Sequence, residues 1–124
     1  MKRFAWMILL GAALACEDGG PKTGVLKVNL TTPNSGGDGA ILLTVNGPGV
    51  LLSAAPGAGL RLFTQPLATT NHVALTGTLK TGTILTVEVP DVSKASAYTA
   101  TIQQVATPTY QLRSLTGYSL KVTP

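Results

Sequence analysis

Leu26-Lys27-Val28-Asn29-Leu30-Thr31 alternates apolar and polar side chains without a break. In an extended chain successive side chains point to opposite faces. Leu26, Val28 and Leu30 then share one side, and Lys27, Asn29 and Thr31 the other. A helix would scatter the same residues around its circumference. The stretch predicts a β-strand with one buried face. Residues 83–89, Thr-Ile-Leu-Thr-Val-Glu-Val, repeat the pattern, with Leu85, Val87 and Val89 inward and Ile84, Thr86 and Glu88 outward.

The rest of the chain follows the same rule. Thr32–Gly39 is turn material, rich in Gly, Asn and Pro. Ala40–Asn46 reads as a strand with Ile41, Leu43 and Val45 on one face and Leu42 on the other. Gly47-Pro48-Gly49 turns the chain, and Val50–Ser53 reads as a short third strand ended by Pro56-Gly57. Leu60–Gln65 places Leu60 and Leu62 on one side and Phe63 with Arg61 and Gln65 on the other; Pro66 is expected to close it. His72–Leu79 is less regular, with Val73 and Leu75 inward. Val92–Ala97 is long enough for one helical turn. Tyr98–Ala106 has Tyr98, Ala100 and Ile102 inward. Leu112 and Leu115 are expected to anchor Thr107–Gly117, and Tyr118, Leu120 and Val122 form the inward face of a last strand. Eight to nine short strands separated by Gly, Pro, Asn and Asp predict an all-β chain, a single antiparallel β-sandwich over residues 25–124.

Ahead of the strands stands MKRFAWMILLGAALAC, residues 1–16. Lys2 and Arg3 give a basic start, Phe4–Leu10 is apolar throughout, and Ala13-Leu14-Ala15 is a small-x-small exit. This is the pattern of a signal peptide over residues 1–15. Its apolar part, Phe4–Ala15, is twelve residues, short of the roughly twenty that a spanning helix needs. Alanine before Cys16 also resembles the lipobox of bacterial lipoproteins, although the position where that motif usually has leucine is Ala13, with Leu14 one place later. The resemblance implies a lipidated Cys16 at the head of the mature chain, followed by a flexible tether to residue 24. The alternative is plain secretion with a free thiol. The expected location is the bacterial cell envelope, with the protein exported and held to a membrane by its lipid.

Composition narrows the function. Removing residues 1–15 leaves 109, enough for one small domain. Nine basic residues become seven when Lys2 and Arg3 leave; against five acids the mature charge is +2. The remaining cations are spread singly with little aromatic interleaving, which argues against nucleic acid. Cys16 is the only cysteine, so the domain rests on its apolar core without a disulfide.

Few residues carry chemistry. His72 is the only histidine and has no second histidine or thiol for a zinc set, so no metal or other cofactor is expected. A triad would have to join His72 to a serine and to Asp38, Glu88 or Asp91, and no nucleophile elbow surrounds any serine. Asn34–Asp38 offers calcium a single carboxylate where several are usual. No phosphate-binding glycine motif occurs. No catalytic residue is assigned, and the chain is expected not to be an enzyme. Tyr98 and Tyr118 fall on inward positions. That leaves Phe63 and Tyr110 as the candidates for an exposed aromatic pair that binds ligand.

Three stretches, LKVNLTTPN (residues 26–34), GAILLTVNGPGVLLSAAPG (39–57) and VALTGTLKTGTILTVEVP (73–90), together resemble a cohesin-type module. Such modules are nine-stranded jelly-roll sandwiches of bacterial surface assemblies, and the likeness spans Leu26–Ile102. It implies a non-catalytic domain that binds or scaffolds a partner protein. Asn46-Gly47-Pro48-Gly49 stands where cohesins usually carry an aspartate, so no partner-contacting residue is carried over. Tyr98-x-Ala100-x-Ile102 is similar to the tyrosine-corner strand of immunoglobulin-like domains, whose cysteine and tryptophan marks are absent. The expected function is partner binding by an anchored envelope lipoprotein; the alternative is a carbohydrate-binding module.

Overall fold

A computed structural model describes residues 21–124. The signal peptide and the lipidation of Cys16 lie outside the described residues. Eight strands follow one another: β1 (Gly24–Thr31), β2 (Asp38–Asn46), β3 (Ser53–Pro56), β4 (Arg61–Leu67), β5 (Thr70–Leu79), β6 (Gly82–Val89), β7 (Thr99–Ala106) and β8 (Ser119–Thr123). One 3-10 helix, Val92–Ala97, bridges β6 and β7. The strands form two antiparallel sheets, ordered β3-β6-β1-β8 and β4-β5-β2-β7. The chain is an all-β sandwich, as its alternation predicts.

Six of the seven connections cross from one sheet to the other; only β4–β5 is a hairpin within a sheet. β1 and β2 therefore lie in opposite sheets, whereas immunoglobulin-type sandwiches keep their first two strands side by side. The alternating faces meet in the middle. Leu26, Val28 and Leu30 from β1 and Leu85, Val87 and Val89 from β6 face Ile41, Leu43 and Val45 from β2 and Val73 and Leu75 from β5, all at most 3% exposed. Burial of each such side chain contributes about 1.5–3 kcal/mol.

Four local features depart from the simple alternation. Val28 pairs with Leu85 but Asn29 pairs with Thr83, which makes Ile84 an extra residue. The bulge turns Ile84 inward, 2% exposed, where period-two alternation puts it outward. A second bulge in β7 leaves Gln103 extra and brings Val105 into the core. β3 starts at Ser53 and runs to Pro56, later than expected, because its register is dictated by pairing with β6 from Glu88 to Leu85. β4 continues through Pro66 to Leu67; as an edge strand it tolerates a residue without an N–H.

Tyr98 is buried at 4% exposure, as expected, and its ring lies over Gly47. A β-carbon at that glycine would overlap the ring, so the tight Gly-Pro-Gly turn is required by packing. The two ends of the sandwich differ in what they carry. One end holds residues 21–23, the β2–β3, β4–β5 and β6–β7 connections, and the end of β8. The other holds the β1–β2, β3–β4, β5–β6 and β7–β8 connections.

Candidate functional site

The outward face of the β4-β5-β2-β7 sheet carries the sequence-predicted aromatic. Pairing sets Phe63 of β4 beside Ala74 of β5, Leu42 of β2 and Gln104 of β7 in one cross-strand row. Leu42 and Phe63 are 41% and 58% exposed. Leu42 sits there because its neighbours Ile41 and Leu43 point into the core; Phe63 sits there because Leu62 packs against the core and alternation turns the next residue outward. The next row on the same face is Gln65, His72, Thr44 and Thr101.

Two shallow clefts meet at Phe63. One, of about 340 Å³, is walled by Phe63, Leu42, Gln65, His72 and Gln103. The other, of about 440 Å³, has Phe63 on one side and Tyr110 and Pro108 on the other, with Thr76 and Thr78 between. The structure thus brings Phe63 and Tyr110 to the walls of one cleft, though 47 positions separate them in the chain. Gly39 permits this, because a β-carbon there would strike the backbone of Pro108.

Tyr110 is 89% exposed and holds φ at 67°, in the left-handed region that side chains rarely adopt. Its amide donates to the Thr107 carbonyl at 2.9 Å, and the Gln111 amide donates to Thr107 Oγ1 at 3.1 Å, which closes the turn around it. A strained, exposed aromatic is a feature to test for function. Tyr110→Gly is expected to raise stability by about 1 kcal/mol, since glycine occupies this region without penalty, and to remove one wall of the cleft. Urea melts check the first effect; no gain would mean that the turn does not strain the tyrosine.

The Tyr110 loop is held by a network built on a buried carboxylate. Asp38 is 1% exposed. Its Oδ1 accepts from Arg113 Nε at 2.9 Å and its Oδ2 from Thr32 Oγ1 at 2.8 Å, while the Tyr118 hydroxyl lies 2.9 Å from both oxygens. Arg113 Nη2 also donates to the Gly37 carbonyl at 3.1 Å, and Asn34 Nδ2 to the Tyr118 hydroxyl at 2.9 Å. Leu112 and Leu115, expected to anchor this loop, are 68% and 38% exposed. A carboxylate, not a pair of leucines, pins it, because an ion pair can reach from β2 across to a loop that has no strand phase of its own. Sequence reading missed Arg113 and Tyr118 in this role. Their partner is 75 and 80 residues away, and no local pattern signals such a pairing.

The remaining polar residues do not assemble. His72 points outward from one sheet and Glu88 from the other, since their strand neighbours Val73 and Val87 are buried in the core. Asp91 caps the 3-10 helix; the Ser93 hydroxyl donates to it at 2.6 Å and holds its carboxyl below the ordinary aspartate range. The carboxylate of the Asn34–Asp38 turn is committed to Thr32, Arg113 and Tyr118. No group of three or more His, Cys, Asp or Glu among the described residues is placed to hold a metal ion. No helix among the described residues is long and apolar enough to cross a membrane. The face around Phe63 carries aromatic rings, amides, an imidazole and hydroxyls, with the exposed Arg61 on the same side of β4 two residues away. Such a surface suits a ligand with both apolar patches and polar groups. Comparison with protein-family models, with curated proteins and with solved structures finds no match.

Proposed function

We propose that this chain is an exported, lipid-anchored protein of the bacterial envelope whose β-sandwich binds a partner protein without catalysing a reaction. The observation that carries the reading is the exposed Phe63, with Leu42 beside it, at the junction of two clefts on the outer sheet face. A large aromatic set among adaptable polar groups is the usual centre of a binding surface. β4 is also an edge strand, so a partner that covers Phe63 meets unpaired backbone groups next to it. Cys16 at the leader junction supplies the anchor, and the likeness to cohesin-type modules points to the same class of work.

A glycan ligand is the second reading, and one observation favours it: Phe63 and Tyr110 line a common cleft with the hydroxyls of Thr76 and Thr78. A pull-down from envelope extract compares the wild type with Phe63→Ala. Phe63 is exposed, so the variant is expected to keep its stability within about 0.5 kcal/mol and to lose its partner band. Glycan-array retention that disappears in Phe63→Ala and in Tyr110→Gly, without a protein band, would move the function to sugar binding. A protein band that survives Phe63→Ala would contradict this surface.

A further inference from the structure

We propose that the end of the sandwich nearest the tether rests on the lipid surface, with the β2–β3 loop and the β4–β5 turn as its contacts. The inference builds on the lipid-anchor reading of Cys16. The chain between anchor and domain is short. The Lys22 carbonyl already accepts the Val92 amide at 2.8 Å. Only Glu17–Lys22 separates Cys16 from that fixed point, and six residues span at most about 20 Å fully extended. β1 has eight residues and is itself about 26 Å long at roughly 3.3 Å per residue. The tether is too short to run the length of the domain, so an inverted orientation is excluded and the β1 start lies beside the membrane.

Two of the connections at that end present apolar side chains, beside the polar residues Lys22 and Lys94. Val50 and Leu52, in the connection that leads into β3, are 51% and 53% exposed, and Leu67, at the head of the β4–β5 turn, is 49% exposed. Leu52 and Pro66 line the same crevice, so the two segments are neighbours. The turn after Leu67 is Ala68-Thr69, with Ala68 at φ 54°. A two-residue hairpin turn with positive φ at its first central residue alone favours glycine there; here the sequence keeps an apolar alanine under strain instead. At the opposite end the β1–β2 and β5–β6 connections are polar, while the β7–β8 connection exposes Tyr110, Leu112 and Leu115, so the reach of the tether, not apolar exposure alone, selects the end that meets the lipid. Apolar loop tips held at the headgroup level bury about 5–10 Å deep at the boundary with the acyl chains. In this orientation the Phe63 face looks sideways and stays open to a partner.

Trp6 is the only tryptophan, and it leaves with the leader. The full chain, expressed with its leader and purified from membranes, is prepared as Leu52→Trp and, at the far end, as Leu115→Trp. Both are reconstituted into phosphatidylethanolamine–phosphatidylglycerol vesicles whose acyl chains are brominated near the headgroup. Intact mass reports the lipid on Cys16, and circular dichroism reports the fold of each variant. The expected result is a lipid-bearing protein in which Leu52→Trp emission is blue-shifted and largely quenched, while Leu115→Trp keeps its emission. A lipid-bearing, folded protein in which neither tryptophan is quenched, or both equally, overturns this inference and leaves the anchor standing. A mass without lipid removes the anchor and this inference with it.

Discussion

Arg113→Met lowers the unfolding free energy by about 3–5 kcal/mol, because it strands a carboxylate that the fold has taken out of water. The Asp38 side chain is fully buried, whereas that of Arg113 is 30% exposed and retains access to solvent. The penalty therefore falls on the aspartate. Tyr118 and Thr32 still donate to it, but neither carries a compensating charge. Adding Asp38→Asn to the variant removes the stranded charge while keeping an acceptor for Thr32, so the double variant recovers part of the loss. Urea denaturation of both singles and the double gives the coupling directly. A loss below about 1 kcal/mol for Arg113→Met, or strictly additive losses, would mean that the pair is dispensable. The same variant also frees the loop that carries Tyr110, so the Phe63–Tyr110 cleft is expected to weaken together with stability.

Leu75→Ala is the second large effect, at about 2–5 kcal/mol. Leu75 is fully buried in β5, paired with Ile41 on one side and Leu62 on the other. Truncation leaves a void between two strands whose pleats are fixed by their ladders, so the site collapses poorly. The domain has no disulfide to restrain its unfolded state, and a chain of this size has about 5–15 kcal/mol in all. Thermal melts should show a fall of many degrees for Leu75→Ala beside almost none for Phe63→Ala. Equal shifts in the two would show that inward and outward positions had been exchanged.

The fold was legible because alternation is a strong local signal. Leu26-Val28-Leu30 and Leu85-Val87-Val89 announce their buried faces, and Phe63 is found outward where its parity puts it. Parity failed where the ladder gains a residue. Nothing in Thr83–Val89 itself says that Ile84 is bulged, since the bulge is a property of the pair with β1. β3 was misplaced for the same reason: the Ala54 and Ala55 that pair with β6 carry little hydrophobic signal, while Val50–Leu52 carries much and makes a loop instead. At the site, both aromatics could be picked out by eliminating inward positions. Their convergence on one cleft depends on Asp38 and Arg113, whose meeting is tertiary and leaves no trace in spacing.

Placing a benzophenone side chain at position 63 (Phe63→p-benzoylphenylalanine) and irradiating intact cells tests the binding face most directly. The control carries the same group at Thr86, which faces outward on the other sheet. The expected result is one discrete adduct from position 63, protein or glycan by mass, and none from position 86. Adducts of equal yield from both positions, or none from position 63 with the protein at its normal level in the envelope, would show that the Phe63 face is not where this domain meets its partner.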